Sequence, residues 1–288
     1  MAIVLSKPTV DELNEAVLAL REWQHDGAPV QLHPGDLGWY WRFGAETTAA
    51  AVRIWSRDQR ILAVGLLDGP GLVRLAIAPE AEHDEDLATQ MAADVSRPER
   101  GVLPEGSICV EARFGAAFQA RLVGDGWARD EPWTPLRRDL TAPVEDCGLR
   151  IEVVEPEQAH LQTAVHQASF GSPTFTDERW HAMASGVPYA DALSLLAYDG
   201  HDTPVATATV WSAGPDKPGL LEPVGVHPDY RGHGYGKAMS IAAASALRDM
   251  SSSSALVCTP SSNVGAVATY ASAGFEQLPD VRDLCRSA

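Results

Sequence analysis

The sequence predicts an α/β (α+β) protein made of two tandem halves, each a mixed, mostly antiparallel sheet flanked by helices. The first observation is an internal repeat: residues 75–80 and 224–229 share a strand-and-turn pattern at an offset of 149 residues. Residues 126–127 and 274–275, Gly-Trp and Gly-Phe, repeat at an offset of 148. The second observation is that each half begins with a helical pattern, continues with β-rich runs and ends with alternating helices and strands. The nearly constant offset favours a duplicated fold over two unrelated α/β domains.

The repeat also predicts where the chain divides. Its 288 residues are compatible with one large domain or two ordinary ones. The chain is 45% hydrophobic and 21% charged, which excludes a largely disordered protein. We expect a first domain at residues 1–145 and a second at 146–288, joined by a linker at 141–146.

The second half predicts its elements in order. Residues 155–170 have apolar side chains at helical spacing, and Thr176 is a suitable N-cap for a short helix that ends at Met183. Residues 199–202, Asp-Gly-His-Asp, indicate a hairpin connection between two β-rich runs. Gly274 is the expected stop of the last helix. The remaining predicted elements are strands 192–198, 205–211, 220–226 and 255–259 and helices 234–250 and 263–273.

The charge of the chain restricts its possible partners. With 39 acidic residues against 22 basic ones, the net charge is -17 at pH 7. Nucleic acid and anionic membrane surfaces would be repelled, whereas a cationic small molecule would be attracted. No run of 18 apolar residues is present, and residues 1–7 do not resemble a secretion signal. We therefore expect a cytoplasmic protein with no nucleic-acid or membrane partner.

The four cysteines, Cys109, Cys147, Cys258 and Cys285, are scattered along the chain. They form no Cys-x-x-Cys pair and do not cluster with histidine. This spacing favours reduced thiols over a disulfide framework or a zinc site, so we expect neither a disulfide nor a metal.

The most informative segment is residues 226–237, in which a strand leads through Arg-x-x-Gly-x-Gly into a long helix. Glycines are needed where backbone N–H groups converge on an anion, and a helix N-terminus favours phosphate. Arg231 and Lys237 could add positive charge. The segment is neither a P-loop nor a dinucleotide fingerprint, because the spacing differs from both. It predicts a pyrophosphate cradle, with a Gly-rich turn that binds no ligand as the alternative.

This segment resembles the acetyl-CoA-binding motif of the GCN5-related N-acetyltransferase (GNAT) superfamily, Arg/Gln-x-x-Gly-x-Gly/Ala after a Val-x-Val-x-Pro strand. Residues 263–270 match a second family pattern, Asn-x-x-Ala-x-x-x-Tyr, and Gly-Phe at 274–275 follows it. The resemblance covers residues 149–288 well and the first half only in outline. It implies tandem GNAT folds and acetyl-CoA as co-substrate. The residues implied for cofactor binding are Val224, Gly225, Val226, Arg231, Gly232, His233, Gly234, Tyr235, Gly236, Lys237 and Asn263.

The resemblance also implies roles for single residues. The backbone N–H of Val224 would polarise the thioester carbonyl, and Tyr270 would protonate the departing thiolate. Glu222 lies on the same predicted strand face as Val224, where some family members place their general base. Alternatives stay open: Glu222 could only bind the ammonium or face solvent, Tyr270 could be a core aromatic residue, and Asn263 could cap its helix.

The first half lacks these motifs. At the positions of the cofactor-binding residues it has acidic or bulky side chains, namely Glu82, His83, Glu85 and Leu87. Gly115 and Leu122 replace the asparagine and tyrosine of the second pattern. Acidic side chains would repel a pyrophosphate, so we expect a degenerate GNAT-like half with a structural or substrate-pocket role. Residues 36–41, rich in tryptophan, could wall a substrate pocket or pack between the domains.

The resulting hypothesis is an N-acetyltransferase that moves acetyl from acetyl-CoA directly to a primary amine of a small, cationic molecule. Tandem proteins of this kind resemble mycothiol synthase and acetyltransferases of antibiotic biosynthesis or resistance. The alternatives are an acetyltransferase that modifies a protein or peptide, and a non-catalytic acyl-CoA-binding regulator. The sequence leaves the acceptor and the oligomeric state open.

Overall fold

A computed structural model describes residues 2–287 of the chain. Within these residues the helices and strands follow the predicted order. The elements predicted for the second half begin and end within one residue of their expected bounds, except that the first helix begins at Ala159, four residues after the predicted start and directly after a short 3-10 turn. The helices are α1 (Leu13–Trp23), α2 (Pro34–Tyr40), α3 (Ala45–Ala51), α4 (Glu85–Ser96), α5 (Ala116–Gly124), α6 (Ala159–Phe170), α7 (Asp177–Ala184), α8 (Tyr235–Asp249) and α9 (Val264–Ser272). The strands are β1 (Val4–Ser6), β2 (Val52–Arg57), β3 (Arg60–Leu67), β4 (Leu72–Ile77), β5 (Ile108–Glu111), β6 (Ala128–Asp139), β7 (Arg150–Val153), β8 (Ala192–Tyr198), β9 (Pro204–Trp211), β10 (Gly219–Val226), β11 (Ser254–Pro260), β12 (Glu276–Gln277) and β13 (Val281–Arg286).

The strands of both halves form one continuous sheet, which has thirteen strands in the described residues. Its order is β1-β2-β3-β4-β5-β13-β6-β11-β10-β9-β8-β7, with β12 on β6. Neighbours are antiparallel except for β4 with β5 and β10 with β11, so the predicted mixed, mostly antiparallel sheet is confirmed. Parallel pairs arise because α4 and α8 return the chain to the sheet in the same direction.

The two halves exchange their last strands. β6 belongs to the first half in sequence but pairs with β11, whereas β13 ends the second half and pairs with β5. Leu136 and Leu140 of the first half accordingly pack in the core of the second. A boundary after residue 145 therefore separates the chain in sequence but leaves each half of the sheet with a strand from the other.

This exchange brings together two cysteines whose pairing could not be predicted from the sequence. Cys109 on β5 and Cys285 on β13 are register partners, and they form a disulfide across 176 residues of chain. The expectation of four reduced thiols is therefore wrong for these two, while Cys147 and Cys258 are free. The cytoplasmic location stays a prediction, and the disulfide weighs against it. Among the described residues, no helix is both long and apolar enough to cross a membrane.

Candidate active site

A deep cleft opens where β10 and β11 separate. The two strands pair in parallel only at Gly219 with Ala255 and at Leu220 with Leu256. Beyond that point the pairing of β10 with β9 shifts register between Leu221 and Val224, so the end of β10 turns away. The resulting cleft has a volume of about 740 Å³ and is bordered by β10, the loop before α8, and α9.

The loop at the start of α8 fits an anion. Gly232 and Gly234 have φ angles of 81° and 84°, which glycine adopts without strain. No atom lies within 4 Å of a Cβ built at either position, so the backbone faces open space. Gly234 is the N-cap of α8 and, having no side chain, leaves the first N–H groups of the helix without a side-chain cap. These N–H groups are suited to a pyrophosphate.

The cleft brings together most residues that the sequence predicted for cofactor binding. The lining residues among them are Val224, Gly225, Val226, Arg231, Gly232, Gly234, Tyr235, Gly236, Lys237 and Asn263. His233 lies in the loop but is absent from this lining, and its ring stacks on Tyr235. Arg231 donates to the Ser169 carbonyl at 2.7 Å and so ties the loop to α6. Asn263 lines the cleft and also caps α9 by accepting from the N–H of Ala266 at 3.2 Å.

A second cavity, of about 440 Å³, adjoins the cleft and lies between the two halves of the chain. Its walls include five carboxylates and two guanidinium groups, so their formal charge is negative. These side chains are Asp36, Asp68, Arg74, Glu111 and Arg113 from the first half and Glu222 and Asp283 from the second. The residues that line both spaces are Phe170, Val224, Asn263, Ala266 and Tyr270.

Glu222 lines the second cavity, and Tyr270 lines both spaces. Trp211 donates its indole N–H to the Glu222 carbonyl at 2.7 Å, which fixes the backbone where β10 shifts register. This shift breaks the simple strand alternation assumed from the sequence, although Glu222 and Val224 still line the same cavity. Burial, together with the neighbouring Asp36 carboxylate, raises the pKa of Glu222 to about 8. Burial likewise raises the pKa of Tyr270, so its hydroxyl keeps its proton at neutral pH.

Asp36 reaches Glu222 because α2 docks on the second half. Gly35 and Gly38 lie against Trp211 so closely that a Cβ at either would overlap the indole. The Asp36 carboxylate accepts from the His33 N–H at 2.5 Å in a capping box, and its Oδ1 lies 2.8 Å from Arg74 Nη2. Residues 36–41 thus do both things considered for them, since they wall a cavity and pack between the halves.

Sequence reasoning missed most of the charged cavity wall. Arg74, Glu111 and Arg113 are isolated charged residues in β-rich or loop segments, and no motif distinguishes them. Asp283 is seen in sequence only as part of the repeated Arg-Asp-Leu at 282–284. The strand exchange alone brings Asp283 to the same cavity as Glu111.

The corresponding cleft of the first half is filled by its own side chains. Asp84 caps α4 by accepting from the Leu87 N–H at 2.9 Å, and it pairs with Arg57 at 2.7 and 3.0 Å. A carboxylate therefore stands where the second half offers free N–H groups. Beside β4, Gln31 accepts from the Ile77 N–H at 3.2 Å. In the repeat, Ile77 at the end of β4 corresponds to Val226 at the end of β10, which lines the open cleft of the second half.

Comparisons with known proteins agree with this architecture. The family model "Acetyltransferase (GNAT) family" matches residues 158–275. A tandem GNAT protein from the clavulanic acid biosynthesis pathway is 13% identical with a TM-score of 0.59, covering 99% of this chain and 98% of its own.

Two further solved structures are similar over almost their whole length. A GNAT-family acetyltransferase from Colwellia psychrerythraea is 16% identical with a TM-score of 0.60, covering 99% of both chains. A GCN5-related N-acetyltransferase from Sphaerobacter thermophilus is 17% identical with a TM-score of 0.57, covering 99% of this chain and 95% of its own. No curated protein matches the sequence. The chain thus has a tandem GNAT fold, and its residues 158–275 match the model of the GNAT acetyltransferase family.

Proposed function

We propose that this protein is an acetyl-CoA-dependent N-acetyltransferase that acetylates a primary amine of a cationic small molecule. GNAT-family members are generally acyl-CoA N-acetyltransferases. The observation that supports the proposal best is that the two spaces join at Val224 and Tyr270, with Glu222 in the wall of the second cavity. There, one space can hold a thioester beside a proton donor, and the other can hold an amine beside a proton acceptor.

The chemistry assigned to these residues is a direct transfer. Glu222 accepts a proton from the bound ammonium, so that the free amine nitrogen attacks the thioester carbonyl carbon. The backbone N–H of Val224 donates to the carbonyl oxygen as charge develops there. The new C–N bond forms as the C–S bond breaks, and Tyr270 gives its proton to the sulfur. The second proton lost by the nitrogen restores Tyr270, and Glu222 releases its own to solvent.

Two further observations support direct transfer to a cationic acceptor. Burial raises the pKa of Cys258 to about 11, so this cavity-lining thiol is protonated and a poor nucleophile for a covalent intermediate. The carboxylates that surround the cavity outnumber its guanidinium groups, which favours a positively charged acceptor over a neutral or anionic one.

The proposal is tested by release of free thiol from acetyl-CoA across a panel of amines. We expect Tyr270→Phe and Glu222→Gln each to lower turnover by at least about tenfold, while acetyl-CoA binding measured by calorimetry persists. Tyr198→Phe is the matched control, because Tyr198 is as buried as Tyr270 but lies on β8 away from both spaces. It should keep full activity.

Other outcomes would indicate the alternatives. Turnover with lysine-containing or N-terminal peptides but with no small amine would favour a protein or peptide acetyltransferase. Tight acetyl-CoA binding without thiol release for any acceptor would favour a non-catalytic regulator. Wild-type rates in both site variants would contradict the roles given to Glu222 and Tyr270.

A further inference from the structure

The acceptor cavity has a second acidic end, away from the reacting groups. Glu222 and Asp36 lie at one side of Arg74, with Glu222 Oε1 at 3.9 Å from Nη1 and Asp36 Oδ1 at 2.8 Å from Nη2. On the other side, Arg74 Nε lies 3.1 Å from Glu111 Oε2. Beyond Glu111, Arg113 Nη2 lies 3.2 Å from Glu111 Oε2 and 3.9 Å from Asp283 Oδ1. Acidic and basic groups therefore alternate along the wall and end at Asp283.

This far end has buried hydrogen-bond acceptors that the protein does not use. Asp283 is 8% exposed, and its buried Oδ1 has no hydrogen-bond partner among the described residues. Glu111 is 5% exposed; both arginine contacts go to Oε2, and Oε1 has no partner among the described residues. Leaving buried carboxylate oxygens unpartnered costs free energy, so such atoms call for a ligand that donates hydrogen bonds.

Asp283 lies at an irregularity in the pairing of β13 with β6. The register shifts between Arg282 and Leu284, so that Asp283 faces two residues of β6, Asp130 and Glu131, and is left out of the ladder. Bulges of this kind turn a side chain away from regular alternation. Here the carboxylate lines the cavity between the halves, on the same wall as Glu111, because β13 pairs with β5.

The charges at this end favour a cationic ligand that donates hydrogen bonds over an anionic one. The Arg113 guanidinium is already surrounded by Glu111 and Asp283, and its Nη1 also lies 3.6 Å from Cys258 Sγ. An anion would meet the two carboxylates at the same time. Burial and the nearby Glu111 carboxylate raise the pKa of Asp283 to about 6, which still leaves it charged at neutral pH.

We propose that Glu111 and Asp283 form a second cation subsite, so that the acceptor carries a second protonated nitrogen besides the amine that is acetylated. This inference rests on the proposed function, since it assigns the acceptor class of the same cavity. The chemical class is a diamine or a larger molecule with two separated ammonium groups. The N-terminal half then supplies specificity through Glu111, and the exchanged strand supplies it through Asp283.

The test compares linear diamines of three to six carbons with amino alcohols of the same length, in which a hydroxyl replaces the second ammonium. For the best length, we expect kcat/KM of the diamine to exceed that of the amino alcohol by at least about tenfold, because hydrogen bonds between ionised groups are the strong ones. Asp283→Asn should raise KM for the diamine at least about fivefold, leave kcat nearly unchanged, and leave the amino alcohol unaffected.

The control variant is Asp58→Asn, which removes one charge from an exposed turn whose φ of 53° asparagine tolerates. Equal kcat/KM for diamine and amino alcohol in the wild-type protein would overturn the subsite, whatever happens to the variant. The subsite would also be overturned if Asp283→Asn lowered kcat/KM for the diamine and the amino alcohol to the same extent while circular dichroism showed a folded protein.

Failure of the proposed function gives a different pattern. In that case no amine supports thiol release. Binding of diamines, measured by calorimetry in the presence of CoA, then tests the subsite without relying on activity. Diamine binding that Asp283→Asn weakens at least about fivefold, with amino alcohols binding weakly to both proteins, supports the subsite. Absence of diamine binding to the wild-type protein overturns it.

Discussion

The backbone of Gly38 lies directly against the six-membered ring of Trp211, and this contact seats α2 of the first half on β9 of the second. The consequence reaches the chemistry because α2 carries Asp36, whose carboxylate raises the pKa of Glu222. Trp211 also holds the Glu222 carbonyl through its indole N–H at 2.7 Å. Trp211 therefore positions Glu222, the candidate base, through a hydrogen bond, and it positions α2, which carries Asp36, through packing.

Gly38→Ala tests this contact. The added methyl would overlap the indole, and overpacking of this kind costs about 1–3 kcal/mol of the free energy of unfolding. We expect a lower melting temperature and a higher KM for the amine, with acetyl-CoA binding by calorimetry unchanged. Gly124→Ala is the matched control, since no atom lies within 4 Å of its Cβ position. Equal melting temperatures in the two variants would show that α2 is not held by this packing.

The parts that the sequence predicts are those determined by local chemistry. The loop at Gly232 and Gly234, the helix after it and the Asn263 cap each follow from turn and cap preferences within a few residues. The exchange of β6 and β13 depends on pairing between distant segments, which no local pattern records. The disulfide and the position of Asp283 in the cavity wall both follow from that exchange, so neither could be predicted from the sequence.

The pH dependence of turnover should report the carboxyl group of Glu222. A general base must be ionised, and burial with the Asp36 charge raises its pKa to about 8. Activity supported by Glu222 should therefore fall as pH decreases through about 8. The ratio of wild-type to Glu222→Gln kcat/KM isolates this effect, because the titration of the amine substrate cancels in the ratio. A ratio that does not change between about pH 6 and 9 would exclude Glu222 as the titrating base.

The same shift predicts how stability depends on pH. The folded pKa of Glu222, about 8, is above its ordinary value of 4.5, so the folded protein holds this proton more tightly than the unfolded chain. The stabilisation is complete below about pH 4.5 and is lost as pH rises through about 8. Glu222→Gln cannot titrate, so its melting temperature minus that of the wild type should increase from about pH 5 to 8. Glu276→Gln, at an exposed position, is the control for the removal of one carboxyl group.

Replacement of Asp84, whose carboxylate caps α4, tests whether the first half has lost the ability to bind the cofactor. Asp84→Ala removes the N-cap of α4 and the partner of Arg57, which should cost about 1–2 kcal/mol of the free energy of unfolding. Acetyl-CoA binding should be unaffected, since the cleft proposed for the cofactor belongs to the second half. Glu85→Ala, an exposed change in the same helical turn, should cost less. If acetyl-CoA binding weakened in Asp84→Ala but not in Glu85→Ala, the first half would either bind the cofactor itself or affect its binding to the second half.

The disulfide between Cys109 and Cys285 should be measurable as a thiol count and as stability. Denatured, unreduced protein should give two reactive thiols, Cys147 and Cys258, instead of four. Because the bond closes a loop across 176 residues, its reduction should lower the free energy of unfolding by about 2–5 kcal/mol. Cys109→Ser should match the reduced protein and become insensitive to reductant, whereas Cys147→Ser should retain the full response. Four thiols in freshly purified protein would instead support the reduced state expected of a cytoplasmic chain, and β13 would then be held to β5 by its backbone hydrogen bonds alone.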